Sequence, residues 1–388
     1  MAVPLSYNLR SAFVRKGATA LTVSAIAFSV AVLVMVLALA RGFETALAGT
    51  GTDDNVIVLR SGSTSEGVSG LTRDTARILQ AASFVARDPA GRPLAQPELY
   101  AAFNLSRADG GKTNIPVRGT GPQGLALRST VRIQPGGRMF EPGKYEIVVG
   151  RSLVGRVPGC QLGGALTLSN YTWQVVGVAD SAGQAYDSEI WLDVEIFLRL
   201  LDRPGFSTVI ARLHAPGELP ALRRRVEDDP RLNVTVKTER QYFTEQAGAL
   251  ATVLKALAWF LAAIMGTGAV FGATNTLLAN VSMRRREIGT LLAIGFSPRQ
   301  VFLGFLTESL VLAVVGGVLG VALGYQCNGI ATGTTNWSTF TEQSFSFAVT
   351  PDVVASAMVL AAFIGLIGGA LPAARAARLT PREALRAL

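Results

Sequence analysis

Residues 283–299 read Met-Arg-Arg-Arg-Glu-Ile-Gly-Thr-Leu-Leu-Ala-Ile-Gly-Phe-Ser-Pro-Arg. Glu287 to Ile294 has the pattern of a short helix with Ile288, Leu291, Leu292 and Ala293 apolar. Gly295 ends it and Ser297-Pro298 opens the next helix. On either side the chain loses all charge, for 28 residues over Ala256–Met283 and for 33 over Ser309–Thr341. Two further uncharged runs, Thr19–Ala40 and Val353–Ala374, have 22 residues each. A hydrocarbon core takes about 20 residues of helix, so each run is long enough to cross it. The fold class expected is integral membrane α-helical, with four transmembrane helices and an α+β extracytoplasmic domain inserted between helices 1 and 2.

The whole chain of 388 residues is 49% hydrophobic and 16% charged, with a net charge of +9 and a mean hydropathy of +0.36. That mixture excludes a disordered chain. Residues 42–250 hold 23 basic and 22 acidic side chains out of 36 and 27 in all, which leaves 13 and 5, a net +8, for the membrane part. Those basic residues are mostly Arg10, Arg15 and Lys16 before the first run, Arg284, Arg285, Arg286 and Arg299 between the second and third, and Arg375, Arg378, Arg382 and Arg386 after the fourth. By the positive-inside rule both termini and the 284–299 loop are cytoplasmic and the large domain lies outside. The basic balance thus reports topology, and no nucleic-acid partner is expected.

The first run follows a basic segment and ends in Ala38-Leu39-Ala40, as a signal peptide would, but its 22 residues exceed a signal h-region and imply a retained span. Leu5, Leu9, Ala12 and Phe13 share a helical face with Arg10 and Arg15 off it, the pattern of an interfacial helix. The boundaries read as 1–41 for this helix and the first span, 42–250 for the outer domain, and 251–388 for the remaining spans with the short helix at 284–295.

In the outer domain, strands are expected at Asn55–Arg60, Thr113–Arg118, Tyr145–Val149, Ala165–Ser169, Thr172–Val178, Ser207–Leu213 and Asn233–Lys237. Helices are expected at Thr72–Ala82, Val194–Leu201 and Glu218–Asp228, with a second subdomain formed by about 85–145. Gly119–Gly124 spells G-x-G-x-x-G, but Pro122 and the lack of a following helix make it a loop. Ser106–Thr113 ends like a Walker A motif but begins with Ser and runs on as a strand. His214, the only histidine, sits at a strand end, so a nucleophile with a histidine base is not expected. Cys160 and Cys327 lie in different elements and read as unpaired, and no metal site is expected. Arg223–Arg225 are expected to pair along their helix with Glu227–Asp229. No catalytic residues are assigned.

The apolar runs carry small residues at four-residue spacing: Gly268 and Gly272, then Gly316, Gly320 and Gly324, then Gly365 and Gly369. These let helices approach closely, within one chain or across a dimer. Glu308 is the acidic residue at the head of the third run, and a structural partner among the cytoplasmic arginines is favoured over a transport role. The short helix needs cover for its apolar face, and a partner protein is the economical source.

The segment Arg284–Leu310 followed by Val314–Gly324, with the closing Pro372–Leu388, resembles the FtsX-like permease signature shared by MacB-type exporters, lipoprotein-releasing permeases and the cell-division permease. Glu146–Asp180 with Ser188–Leu201 looks like the extracytoplasmic domain of MacB-type permeases. The resemblance implies that Arg286, Glu287, Ile288, Gly289, Leu291, Leu292, Ala293 and Gly295 form the coupling helix that docks on an ABC ATPase. It implies a dimer, most simply a homodimer, working with two ATPase copies in the bacterial inner membrane and contacting membrane lipids, with a periplasmic membrane-fusion adaptor as a further partner. The helices flanking the outer domain, about Arg41–Ala48 and Arg240–Leu254, would form a stalk that carries ATP-driven motion outward. No cofactor is expected in this chain; ATP and Mg belong to the ATPase, expected to be another polypeptide. The function implied is export or extraction of a hydrophobic or amphipathic substrate. The alternative is a transmembrane signal relay that activates an extracytoplasmic enzyme such as a cell-wall hydrolase, and a third, weaker reading is a scaffold without an ATPase.

Overall fold

The computed structural model describes residues 16–229, 231–337 and 339–380. The interfacial helix expected around Leu5–Phe13 and the closing Arg382 and Arg386 lie outside the described residues. In chain order the elements are α1 (Lys16–Ala48), β1 (Asn55–Arg60), α2 (Arg73–Ala81), β2 (Ala95–Ser106), β3 (Lys112–Thr120), α3 (Gly124–Leu127), β4 (Arg132–Ile133) and β5 (Glu146–Gly150). Then follow β6 (Ala165–Leu168), β7 (Tyr171–Asp180), β8 (Ile190–Asp193), α4 (Val194–Leu200), β9 (Thr208–Arg212), α5 (Leu219–Glu227) and β10 (Val234–Thr238). The last third holds α6 (Glu239–Met283), α7 (Arg285–Ala293), α8 (Pro298–Tyr325), β11 (Ala331–Asn336), β12 (Thr341–Ser346) and α9 (Pro351–Ala377).

Four of these helices, α1, α6, α8 and α9, are long and apolar enough to cross a membrane by length and composition. The chain divides into two compact units. One comprises Met1–Arg41, Thr252–Ile330 and Phe347–Leu388, the other Gly42–Ala251 and Ala331–Ser346. In the first, Ile26, Val30 and Val34 of α1 join Ala262 and Ala269 of α6, Ala313 of α8 and Ala357, Ala361 and Ile364 of α9 in one apolar core. Alanines supply much of that core, and their small side chains let the helix backbones approach closely.

The second unit, called the outer unit below, is built on a ten-stranded mixed sheet of order β10-β1-β9-β2-β3-β8-β5-β7-β4, with β6 paired to β7. Strand identity follows the alternation of burial, as in β6, where Leu166 and Leu168 point inward and Ala165 and Thr167 outward. The β6–β7 turn is two residues long, and Ser169 (φ 46°) and Asn170 (φ 71°) take the left-handed conformation that matches strand twist in such hairpins. Helices α2, α4 and α5 pack on the sheet through Ala76 and Leu79, Ile196 and Phe197, and Leu222 and Val226. Thr72 caps α2 by accepting from the Thr75 N–H, and Asp193 caps α4 by accepting from the Glu195 N–H.

Three expectations need correcting. The 85–145 segment is no separate subdomain: β2 and β3 sit in the middle of the sheet, β2 against β9 and β3 against β8. Pro97 and Glu98 disguise β2 as a non-strand, yet Pro97 pairs with Val209 in the ladder and the Glu98 charge is met by arginines. The run Ser309–Thr341 is not helical throughout: α8 stops at Tyr325, and residues 331–346 form a hairpin that belongs to the outer unit. Arg223 donates to the Val236 carbonyl and Gln241, while Asp229 pairs with Arg231 and Glu227 accepts from the Val236 N–H, so the expected pairing along α5 is replaced by contacts to β10 and its flanks.

Candidate functional site

Arg284 (φ −100°, ψ 16°) is the one residue between α6 and α7 that is outside both helices. Its guanidinium donates to Glu287 on α7 (3.0 Å) and to Glu308 on α8 (3.2 Å), and lies 5.4 Å from the centre of the Phe305 ring. The Arg284 and Glu308 side chains are 9% and 4% exposed. A carboxylate that far from solvent needs a cation with direct hydrogen bonds, and Arg284 supplies it. Ile288, 2% exposed, closes the junction by packing with Val281, Val301, Phe305, Ala373 and Ala376, with Leu292 against the same cluster.

The cover expected from a partner is therefore provided, for Ile288 and Leu292, by this chain's own helices. Gly289 is also buried and Leu291 half-buried. What α7 leaves outward is Arg285, Arg286, Glu287, Thr290 and Ala293, followed by Ile294, which is 72% exposed. Gly295 takes φ +105°, a conformation that side chains rarely adopt, and turns the chain toward α8. Ser297 and Gln300 then form a reciprocal capping box with Pro298 at the first helical position.

The glycines separate into two groups. A methyl group added at Gly316 would lie 2.9 Å from Ile26 Cβ, at Gly320 2.6 Å from Val30 Cβ, and at Gly324 2.5 Å from Val34 Cγ1, so all three seat α8 on α1. Gly365 and Gly369 seat α9 on α8 in the same way, against Ala313 and Ser309, and the Ser309 hydroxyl donates to the Gly365 carbonyl at 2.7 Å. Gly268 and Gly272 have open space where a Cβ would stand. The contact of α6 with α9 uses Gly368 instead, where a methyl would meet Ala273 Cβ at 3.0 Å and whose carbonyl accepts from Thr274 (3.0 Å). In its most apolar stretch α6 is 22% buried, against 56% for α1, so its Gly268/Gly272 face is open among the described residues.

Two features of the outer unit carry no signature in the sequence. The β11–β12 hairpin docks on it through Glu342, whose carboxylate accepts from Thr113 and Arg156, through Asn114 donating to the Phe340 carbonyl (3.2 Å), and through Phe345 edge-on to Phe43. The other is a pair of concavities of about 370 and 340 Å³, both lined by Phe206. The larger combines Phe140, Phe206, Gln80 and Gln96 with Arg73 and Glu195, which are joined by paired hydrogen bonds of 3.2 and 3.0 Å. Each has the size of a site for a small organic molecule.

The Walker-like stretch is the β2–β3 hairpin, with Ser106 opposite Lys112, and Gly124 of the other lookalike is wedged against Thr120. Neither presents free backbone N–H groups ahead of a long helix. His214 is exposed and both cysteines are free thiols, Cys160 with its pKa pushed up to about 11 by burial. Among the described residues no three His, Cys, Asp or Glu side chains are grouped to hold a metal ion.

Residues 19–229 match the MacB-like periplasmic core domain and residues 259–381 the FtsX-like permease C-terminal family. The chain belongs to the FtsX-like, MacB-type permease family. The macrolide export ATP-binding/permease protein MacB of Bdellovibrio bacteriovorus is 28% identical over 295 residues, which are 70% of this chain and 44% of that protein. The uncharacterized ABC transporter permease YknZ of Bacillus subtilis is 35% identical over 115 residues, 30% of this chain and 27% of that one. The solved periplasmic region of MacB from Actinobacillus actinomycetemcomitans aligns with 50% of this chain and 92% of its own, at 11% identity and a TM-score of 0.37. The matched stretches of this MacB-type chain thus cover less than half of the Bdellovibrio MacB and of YknZ.

Proposed function

We propose that the chain is the permease component of an ABC transporter, in which helix α7 receives the motion of an ABC ATPase and the outer unit applies it to a hydrophobic or amphipathic substrate. The observation that carries this reading is the α7 surface. Its inner face is locked to α6, α8 and α9 by Ile288 and the Arg284–Glu308 pair, while Arg285, Arg286 and Ile294 are exposed. A helix held rigidly on one side and open on the other is suited to take up force from a partner seated on it.

In this reading α1, α6, α8 and α9 span the bacterial inner membrane, the 284–299 loop is cytoplasmic with the termini, and the outer unit is extracytoplasmic. The long α6, which runs on from β10 without a break, is the element through which motion leaves α7. A second copy of the chain, ATP and Mg in the ATPase, and an adaptor complete the assembly. The names of MacB relatives include macrolide export; the concavities beside Phe206, with their mixed apolar and polar walls, accord with a substrate of amphipathic character.

The test is affinity purification of the tagged full chain from its native membrane, with identification of co-purifying subunits. An ABC ATPase should accompany the wild type, and Ile294→Asp, at an exposed position, should reduce it at least tenfold without loss of the chain itself. Absence of an ATPase, or unchanged capture by Ile294→Asp combined with Arg286→Glu, overturns the proposal.

A further inference from the structure

Inside the outer unit, Arg118 of β3 uses all five of its N–H bonds on three carboxylates from three segments. Nε and Nη2 donate to Glu189 (2.7 and 2.9 Å), Nη1 and Nη2 to Glu66 (2.6 and 3.0 Å), and Nη1 also to Glu98 of β2 (2.9 Å). Glu98 accepts two further bonds from Arg128, both 2.7 Å, and one from Thr120 (2.7 Å). The Tyr100 and Tyr186 rings lie 5.2 and 5.8 Å from the Arg118 guanidinium. All five charged side chains are essentially shut off from solvent.

Three segments that lead to the apolar helices converge on this cluster. Glu239, the first residue of α6, accepts from the Tyr186 hydroxyl, from Asn55 Nδ2 (3.0 Å) and from the N–H of Thr52, just beyond α1 (3.2 Å). Tyr242, three residues along α6, accepts from the backbone N–H of Glu66 (3.0 Å). From the hairpin, the Thr341 hydroxyl meets that of Tyr100 (3.1 Å), and the Ser344 N–H donates to Ser188, next to Glu189 (2.8 Å).

Buried ion clusters are poor stabilisers, since desolvation offsets most of their attraction and apolar residues of equal volume serve as well. Their distinguishing property is direction. Apolar contacts tolerate sliding, whereas a planar guanidinium with five committed donors tolerates almost none. We propose that the Arg118 cluster is a stiff joint that holds the head of α6 and the β11–β12 hairpin in fixed register with β2, β3 and β8, so that displacement of those segments passes into the sheet instead of being absorbed at their attachment. Arg118 is its positioning residue. The use of the joint in transport rests on the permease reading above; its stiffness is measurable without it.

The measurement is the distance distribution between spin labels at Glu245→Cys on α6 and Ala102→Cys on β2, in the purified full chain carrying Cys327→Ser. Both label sites are exposed and Cys160 is buried. A single narrow distribution is expected for the reference chain. Because Arg118→Met alone strands carboxylates and can unfold the unit, the deciding variant is Arg118→Met with Glu66→Gln and Glu189→Gln, which keeps volume and leaves the Arg128–Glu98 pair in place. It should keep its circular dichroism and protease resistance while the distribution widens at least twofold, with Arg118→Lys intermediate. A folded triple variant as narrow as the reference overturns the joint, and so does a triple variant that cannot fold, since the cluster would then serve folding alone. No nucleotide or ATPase enters, so a failed permease reading shows in the co-purification and a failed joint shows here.

Discussion

At the scale of single residues, the chain places charge where burial makes it costly and meets each cost with a named partner. Arg284→Met should strand Glu308 and lower the melting temperature in detergent by roughly 5 °C or more. Adding Glu308→Gln should recover much of the loss, as a neutral amide does not demand a cation; no recovery in a thermal-unfolding series would mean that the pair is not the main contribution of either residue. Glu98 gives a pH-dependent counterpart. Burial pushes its carboxyl up, but Arg128 and Arg118 outweigh that and hold its pKa at about 2. A depressed folded-state pKa contributes stability that is full above the unfolded value of 4.5 and is lost as pH falls from there toward 2. Glu98→Gln should therefore cost about 3 kcal/mol at neutral pH, and the gap to wild type should close in acid-unfolding curves below pH 4.5. Glu66 moves the other way: burial raises its pKa, only partly offset by Arg118. Its contribution is present below 4.5 and is lost as pH rises through the folded value, so it opposes Glu98 and blunts the net slope.

At the scale of elements, the small-residue spacing means different things on different helices. Gly320→Leu would drive a branched side chain into Ala27 and Val30 of α1, and should abolish a stable α1–α8 contact, seen as loss of monodisperse protein on size exclusion. Gly268→Leu meets open space and should leave the melting temperature of a single chain unchanged apart from the helix-propensity gain. If the proposed second copy packs on that face, the same variant will shift dimer to monomer on size exclusion; a dimer that is unchanged by it places the second copy elsewhere. Sequence spacing alone put Gly268 and Gly272 in one class with Gly320, because a pattern on one helix does not say which neighbour faces it.

The hairpin makes the same point in reverse. Residues 331–341 carry no charge and so extended an apolar run, yet Thr332, Thr334 and Thr335 are β-branched and Asn336 is a strong hydrogen-bonding residue, the composition of a polar strand. Absence of charge alone does not separate such residues from lipid-facing ones; strand pairing and the docking of Glu342 settle their place. Glu342→Ala removes its contacts with Thr113 and Arg156 and should raise hydrogen exchange across 331–346 several-fold while exchange in α8 and α9 stays as it was. Equal exchange in the two proteins would show that Phe345 and the backbone contacts hold the hairpin without it.

For the molecule as a whole, the sequence by itself determined the class: four apolar helices, an α+β unit between the first two, most strands to within a residue or two, and a short helix read at Glu287–Ile294 that the structure has at Arg285–Ala293. Those properties are local, since hydrophobic period, helix caps and charge placement are written within a few turns of chain. Tertiary structure alone decided that β2, with its proline and glutamate, lies mid-sheet, that Arg284 rather than Arg285 or Arg286 answers Glu308, and that the open glycines are on α6. It also decided that Arg118 gathers Glu66, Glu98 and Glu189, residues 52, 20 and 71 positions away. The physical reason is common to all four. A buried charge or a bare glycine is unfavourable in isolation, and only the partner that folding brings to it from elsewhere in the chain turns it into a contact.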